Sequence, residues 1–349
     1  MRFKIFFGYV SFVLSVVTFS SWGYAANITL NDGVSNFSGN LRAGDPTNNV
    51  GVIFFHGRGS NYNGNFVKQV GRTLADSGAG YTTFSLSNPV PSTGTSFSSY
   101  ITEEDFMGEL AIARLDAAMS EMANRGIENI VFAGISLGSR FMTGAAAAWE
   151  QGLFSPSSNM NLVGLIGAGM YPETGPTTTP SNPTTLNDIN FLDTKGNIAL
   201  LSSTPVLDLY GSNDPRAAGN TNARRLAYGG DPTQYVQAEI DCPPDNGTYY
   251  AWLGGSSYVP YYDTTPGADR YKRCHQLRDG YLSDGNGGFI KDMTLRDSLD
   301  APVELAITNF LENQVAEKIN SVPESSTLLL MLTGLPLLFI RRKQYTADA

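Results

Sequence analysis

The sequence predicts an α/β fold in which a mostly parallel central sheet is covered by helices on both faces. Three observations lead there. Short apolar, β-branched runs recur along the chain, and longer helical patterns alternate with them. Between two apolar ends lie about 295 residues, enough for one large domain with a substantial core.

The runs are VGVIFF (Val50–Phe55), YTTFSL (Tyr81–Leu86), NIVFAG (Asn129–Gly134), LVGLIGAG (Leu162–Gly169), PVLDLYG (Pro205–Gly211) and YVQAEI (Tyr235–Ile240). Their length and near-continuous apolar character suit strands buried on both faces. The first helix is expected over Asn65–Gly78, with Gly78 just past its end. The second, Glu103–Gly126, places Met107, Leu110, Ala111, Leu115, Ala118, Met119 and Met122 at three- and four-residue steps, and Glu103, Glu104 and Asp105 in its first turn. That stripe packs on the sheet. A third helix begins at Leu137 and runs through an alanine-rich stretch, and a last one covers Leu299–Lys318. Two segments rich in Pro, Gly, Thr and Tyr, Tyr171–Asp188 and Cys242–Tyr271, break the alternation and are expected as excursions above the strand ends. Neither an internal repeat nor a second domain is apparent.

The two ends read as export signals. Residues 1–26 carry Arg2 and Lys4, then an apolar run, then small residues at Ala25 and Ala26, which is the pattern of a secretory signal peptide cut by signal peptidase. Residues 27–321 form the expected domain. Over 322–343, Val322-Pro323-Glu324 precedes a Leu-rich run from Thr327 to Ile340 and the basic group Arg341, Arg342 and Lys343; residues 344–349 are a short extension. The apolar run is short of the ~20 residues a comfortable span needs, which favours a transient stop over a permanent anchor. This tail resembles the PEP-CTERM sorting signal of Gram-negative bacteria that export polysaccharide. The resemblance implies processing by an exosortase, although Ser325 stands where that signal usually has a second proline. The chain is therefore expected in the periplasm, at the cell surface or in the extracellular matrix.

A net charge of −9 argues against nucleic acid as a partner, since an acidic surface repels phosphate. The two cysteines, Cys242 and Cys274, are expected to pair in an oxidising compartment. Two cysteines and two histidines supply no ligand cluster at zinc spacing, so neither a metal nor a cofactor is expected. The sequence assigns no oligomeric state.

The chemistry centres on Gly134-Ile135-Ser136-Leu137-Gly138, where an apolar strand runs into a helix through one serine flanked by glycines. Earlier, another strand ends in His56-Gly57-Arg58-Gly59; later, a third runs into Gly211-Ser212-Asn213-Asp214. Three motifs in the order serine, acid, histidine resemble the α/β-hydrolase fold from Val50 to about Glu317. The resemblance implies that Ser136 is a nucleophile on a tight elbow, with Gly134 and Gly138 permitting the turn. It implies an oxyanion hole from the N–H groups of Leu137 and Arg58, a loop made approachable by Gly57 and Gly59, and a buttressing role for His56. Asp214 is the expected acid, with Asp208 its competitor inside the buried strand, where it would point the wrong way or sit too deep. His275 is the expected base, and a Cys242–Cys274 bridge would tie its long insert back to the preceding strand. The implied activity is a serine hydrolase, most specifically a carboxylic ester hydrolase acting on a small-molecule or polysaccharide ester. The other reading is a catalytically inactive scaffold that binds a matrix component through the Tyr-rich insert TYYAWLGGSSYVPYY.

Overall fold

The computed structural model describes residues 25–58, 60–94, 97–170, 178–212, 214, 217, 220–240, 277 and 293–321, together with four short strands between 249 and 291. Cys242, Cys274, His275, Gly59, Asn213 and the tail 322–349 lie outside the described residues, as does the apolar N-terminal stretch 1–24.

Eight strands form the main sheet: β1 (Ala25–Asn31), β2 (Asn36–Arg42), β3 (Val50–Phe55), β4 (Thr82–Leu86), β5 (Asn129–Ile135), β6 (Asn161–Ala168), β7 (Val206–Gly211) and β8 (Tyr235–Ile240). Their order is β1-β2-β4-β3-β5-β6-β7-β8. The β1–β2 and β2–β4 pairs are antiparallel, and every pair from β4 to β8 is parallel. Six expected runs are all strands of this sheet. The hairpin of β1 and β2 is an addition that the sequence reading left out, and β1 begins two residues ahead of the expected domain start, with Ala25 opposite Arg42. A separate four-stranded antiparallel sheet is made by β9 (Tyr249–Trp252), β10 (Tyr258–Pro260), β11 (Tyr281–Ser283) and β12 (Phe289–Lys291) in the order β10-β9-β11-β12. Its strands β9 and β10 fall within the expected excursion Cys242–Tyr271, whereas β11 and β12 lie beyond that stretch.

Helices α1 (Asn65–Asp76), α2 (Phe97–Thr102), α3 (Glu104–Ala123), α4 (Leu137–Glu150), α5 (Thr194–Ala199), α6 (Thr221–Ala227) and α7 (Met293–Phe310) cover the strands, and a π-helical turn (Leu311–Val315) joins α7 to α8 (Ala316–Ser321). The last helix thus starts six residues earlier than its apolar pattern suggested and tolerates Pro302 inside it.

Because alternate strand side chains point to opposite faces, each central strand feeds two cores. Ile53, Phe55, Ile130 and Phe132 meet Leu115, Met119 and Phe141 from α3 and α4. Val52, Phe54, Val131 and Ile135 share the other cluster with Val67 and Leu74 of α1 and Ile307 of α7. A strand buried on both faces needs no polar side, which is why these runs are continuously apolar. On the α3–α4 side, Phe191 wedges between the helices: a Cβ on Gly108 would lie 2.6 Å from its Cε2, and one on Gly144 2.5 Å from its Cδ1. The strand order, the single antiparallel entry and the two helix layers are those of the α/β-hydrolase fold, so the expected fold class holds.

Candidate active site

The parallel strands deliver their C-terminal ends, and the loops that follow, to one rim of the sheet. Ser136 sits there between β5 and α4. Its backbone is held at φ 55°, ψ −117°, a conformation L-residues avoid at a cost of roughly 1–3 kcal/mol. Three bonds hold it. The Ser136 N–H donates to Ala168 O at the end of β6 (2.8 Å), while Ser136 O accepts from the Ser139 N–H (3.1 Å) and the Ser139 hydroxyl (2.6 Å). With its own amide given to β6, the turn offers the next one: Leu137 opens α4, where first-turn N–H groups have no partner within the helix.

The flanking glycines are required by space. A Cβ on Gly134 would meet Ser139 N at 2.5 Å, and one on Gly138 would lie 2.6 Å from His56 O and closer still to Phe55 O. All of these are main-chain atoms, so no rotamer change relieves the overlap. Gly57 faces the nucleophile directly, since a Cβ there would be 3.4 Å from Ser136 Cβ.

The loop carrying Gly57 is fixed by His56. Its N–H donates to Asn88 Oδ1 (3.1 Å), its carbonyl accepts from Asn88 Nδ2 (2.5 Å), and its Nε2 accepts from the Asn88 N–H (3.1 Å). The ring proton therefore belongs on Nδ1, which donates to Gly57 O at 2.8 Å. In a planar trans peptide the carbonyl and the following N–H point opposite ways, so holding Gly57 O toward the ring turns the Arg58 N–H away from it. The Arg58 side chain is exposed. Burial, opposed by the hydrogen bond to Gly57 O and aided by the nearby Arg114 charge, pushes the His56 imidazole down to about 4. A buried neutral ring with both nitrogens occupied holds a loop in place and is poorly suited to shuttling protons.

Asn88 is anchored in turn. Arg114 of α3 donates from Nη1 to Ser87 O (2.8 Å) and Asn88 O (2.6 Å), and from Nε to Asp32 Oδ2 (2.9 Å) in the turn between β1 and β2. Burial pushes the Asp32 carboxyl up, but the Ser35 and Val34 N–H groups and Arg114 together hold it below its usual range. Sequence reasoning missed Asp32, Asn88 and Arg114. A signal existed for one of them: Arg114 lies on the apolar stripe of α3, three residues from Ala111 and four from Ala118, where a charge needs a buried partner.

Asp214 is fully buried three residues past the end of β7, its N–H donating to Gly211 O (2.9 Å) and its Oδ1 accepting from the Ala217 N–H (3.2 Å). Through the pairing of Ile135 with Ala168 and Ala168 with Leu209, β7 lies two strand spacings, about 10 Å, from β5. An imidazole with a hydrogen bond at each end fills such a gap. Asp208 is buried within β7 below that level and is taken by Arg224 and Tyr235, which removes it from the rim. His275 lies outside the described residues. Leu277, two residues on, is buried at φ 46° in the apolar cluster that holds Ile135 and Leu209.

No protein-family model and no curated protein matches this sequence. Among solved structures it is similar to a dienelactone hydrolase from Anabaena variabilis, at 15% identity and a TM-score of 0.42, over 73% of this chain and 97% of that one. An esterase from the archaeon Pyrobaculum calidifontis is also 15% identical, with a TM-score of 0.42 over 62% of this chain and 74% of its own. An arylesterase is 13% identical, with a TM-score of 0.43 over 63% and 76%. Likenesses this distant carry no argument about chemistry, and the fold assignment rests on the sheet itself.

Proposed function

We propose that the protein is an exported serine hydrolase acting on carboxylic esters, with Ser136 as nucleophile, His275 as base and Asp214 as acid. The observation that carries the reading is the strained backbone of Ser136 at a strand-to-helix turn, faced by Gly57, on which a Cβ would lie 3.4 Å from Ser136 Cβ. Strain of this kind persists only where the surroundings over-determine it, and here three hydrogen bonds and two crowded glycines do so.

In this mechanism Ser136 Oγ attacks the acyl carbonyl as the His275 imidazole takes its proton. Asp214 holds the imidazole in the productive tautomer and stabilises its cation. The developing oxyanion is bound by the Leu137 and Arg58 amides, the alcohol leaves with the proton returned by His275, and water releases the acyl group by the same steps. Two observations favour His275. The chain has only two histidines, and His56 is committed to its loop. Leu277 is buried in the apolar cluster that holds Ile135 and Leu209, and covalent geometry keeps the Cα atoms of residues 275 and 277 within about 7 Å. A Cys242–Cys274 bridge would further tether the base. The terminal segments fit export with passage to the cell envelope or matrix, where esters on polysaccharide are one substrate class and small-molecule esters another.

Labelling with a fluorophosphonate probe tests this reading. Folded wild-type protein should be labelled, with labelling lost in Ser136→Ala and lowered by orders of magnitude in His275→Ala. Folded wild-type protein that resists the probe would instead identify a non-catalytic scaffold.

A further inference from the structure

Arg224 has no part in the chemistry above, yet it is among the most deeply buried charged groups of the described residues, 1% exposed. From α6 its guanidinium grips three elements. Nε and Nη2 donate to Asp208 Oδ2 and Oδ1 on β7, each at 3.0 Å, and Tyr235 Oη of β8 donates to the same carboxylate at 2.9 Å. The remaining donors leave this base and reach two main-chain carbonyls: Nη1 to Met170 O (3.0 Å) and Nη2 to Ala217 O (3.2 Å).

Both carbonyls belong to the rim. Ala217 gives its N–H to Asp214 Oδ1 and its carbonyl to Arg224, so a single residue joins the acid to the guanidinium. Met170 follows Gly169, whose N–H donates to Leu209 O, and Ala168, whose carbonyl takes the Ser136 N–H. One planar fork therefore stands between the turn that carries the acid and the strand end that holds the nucleophile. A stability role alone accounts poorly for it. A buried ion pair is often matched or bettered by apolar side chains of the same volume, whereas a fork of fixed shape sets distances between the groups it joins.

We propose that Arg224 is the positioning residue of the acid: anchored on Asp208 and Tyr235, it fixes the Asp214–Ala217 turn against the Met170 turn beside Ser136. The proposal rests on the reading of Asp214 as the triad acid.

Arg224→Lys is the direct test, because lysine keeps the charge beside Asp208 and loses the fork. Its partner variant replaces Asp208, Arg224 and Tyr235 by Leu, Met and Phe, removing the polar network without stranding a charge, so that a folded protein lacking the clamp can be measured if the lysine variant fails to fold. Turnover of a p-nitrophenyl ester should show kcat lowered about 10- to 100-fold with KM held within about threefold, as for a misplaced rather than missing group. Amide hydrogen exchange at Ala217 should rise about tenfold while the amides of β5 and β6 keep their protection. Unchanged kcat in a folded variant would overturn the proposal, as would lowered kcat with unchanged exchange at Ala217. If wild-type protein neither turns over the ester nor takes the probe, the hydrolase reading fails, and exchange at Ala217 alone decides whether Arg224 holds the turn.

Discussion

Gly138→Ala probes the contact that seats the nucleophile. The new Cβ would stand 2.5 Å from Phe55 C and 2.6 Å from His56 O, where ordinary contact begins at 3.4 Å. Relief requires the start of α4 to retreat by roughly 1 Å from the end of β3, since neither partner is a side chain that could swing aside. Overpacking of this kind costs about 1–3 kcal/mol, and alanine returns ~1 kcal/mol as the better helix former, leaving a net loss of up to about 2 kcal/mol. For a domain of this size that lowers Tm by up to roughly 4 °C. The same retreat moves the Leu137 amide and Ser136 away from the Gly57 loop, and a 1 Å misplacement is worth about a hundredfold in rate. Thermal unfolding by circular dichroism, paired with fluorophosphonate labelling at a temperature where the variant is fully folded, measures both effects. Gly144→Ala is the control: its Cβ strikes the Phe191 ring a turn and a half further along α4, so it should lower Tm and leave the labelling rate unchanged. A Gly138→Ala protein with wild-type Tm and wild-type labelling would refute the claim that this contact places the nucleophile.

Two further outcomes are expected. Burial pushes the Glu104 carboxyl up to about 7, with Asp105 and Asp193 adding to the effect and the Phe191 N–H opposing it. A carboxyl whose folded pKa lies above its unfolded value stabilises the fold at low pH and loses that contribution as pH rises toward 7. The Tm of wild type relative to Glu104→Gln should therefore fall between pH 4.5 and about 7, and parallel curves would refute it. Arg114→Met strands the buried Asp32 carboxylate and should cost about 3–5 kcal/mol, most of it recovered when Asp32→Asn is added. Urea unfolding measures that cost, and probe labelling should stay depressed in the double variant because Asn88, and with it His56, has lost its anchor.

The parallel strands and the elbow were legible because each rests on a local demand. Continuous apolar runs report burial on both faces, and glycines at 134 and 138 report main-chain crowding on either side of one serine. The hairpin of β1 and β2 was hidden by chemistry of the opposite sort: β1 buries no residue fully, alternates exposed with half-buried positions, and abuts an apolar N-terminal stretch whose pattern takes in Ala25 and Ala26. Asn88 and Arg224 were invisible for another reason. The Asn88 side chain binds the main-chain N–H and carbonyl of His56, and Arg224 reaches beyond Asp208 to the carbonyls of Met170 and Ala217; backbone groups far away in the chain leave no mark on a sequence. Asp208 gave half a clue, a carboxylate inside an apolar strand, and the structure supplies the arginine that such a residue requires.

The bond between Asp32 and Arg114 gives the start of the chain an unexpected duty. Proteolytic trimming up to Ala26 leaves the tip of the first hairpin whole, whereas a cut only a few residues further in would delete the carboxylate. The loop over the serine would then have lost one of its distant moorings, so if the N-terminal stretch is removed as proposed, the position of the cut bears on whether the rim is competent.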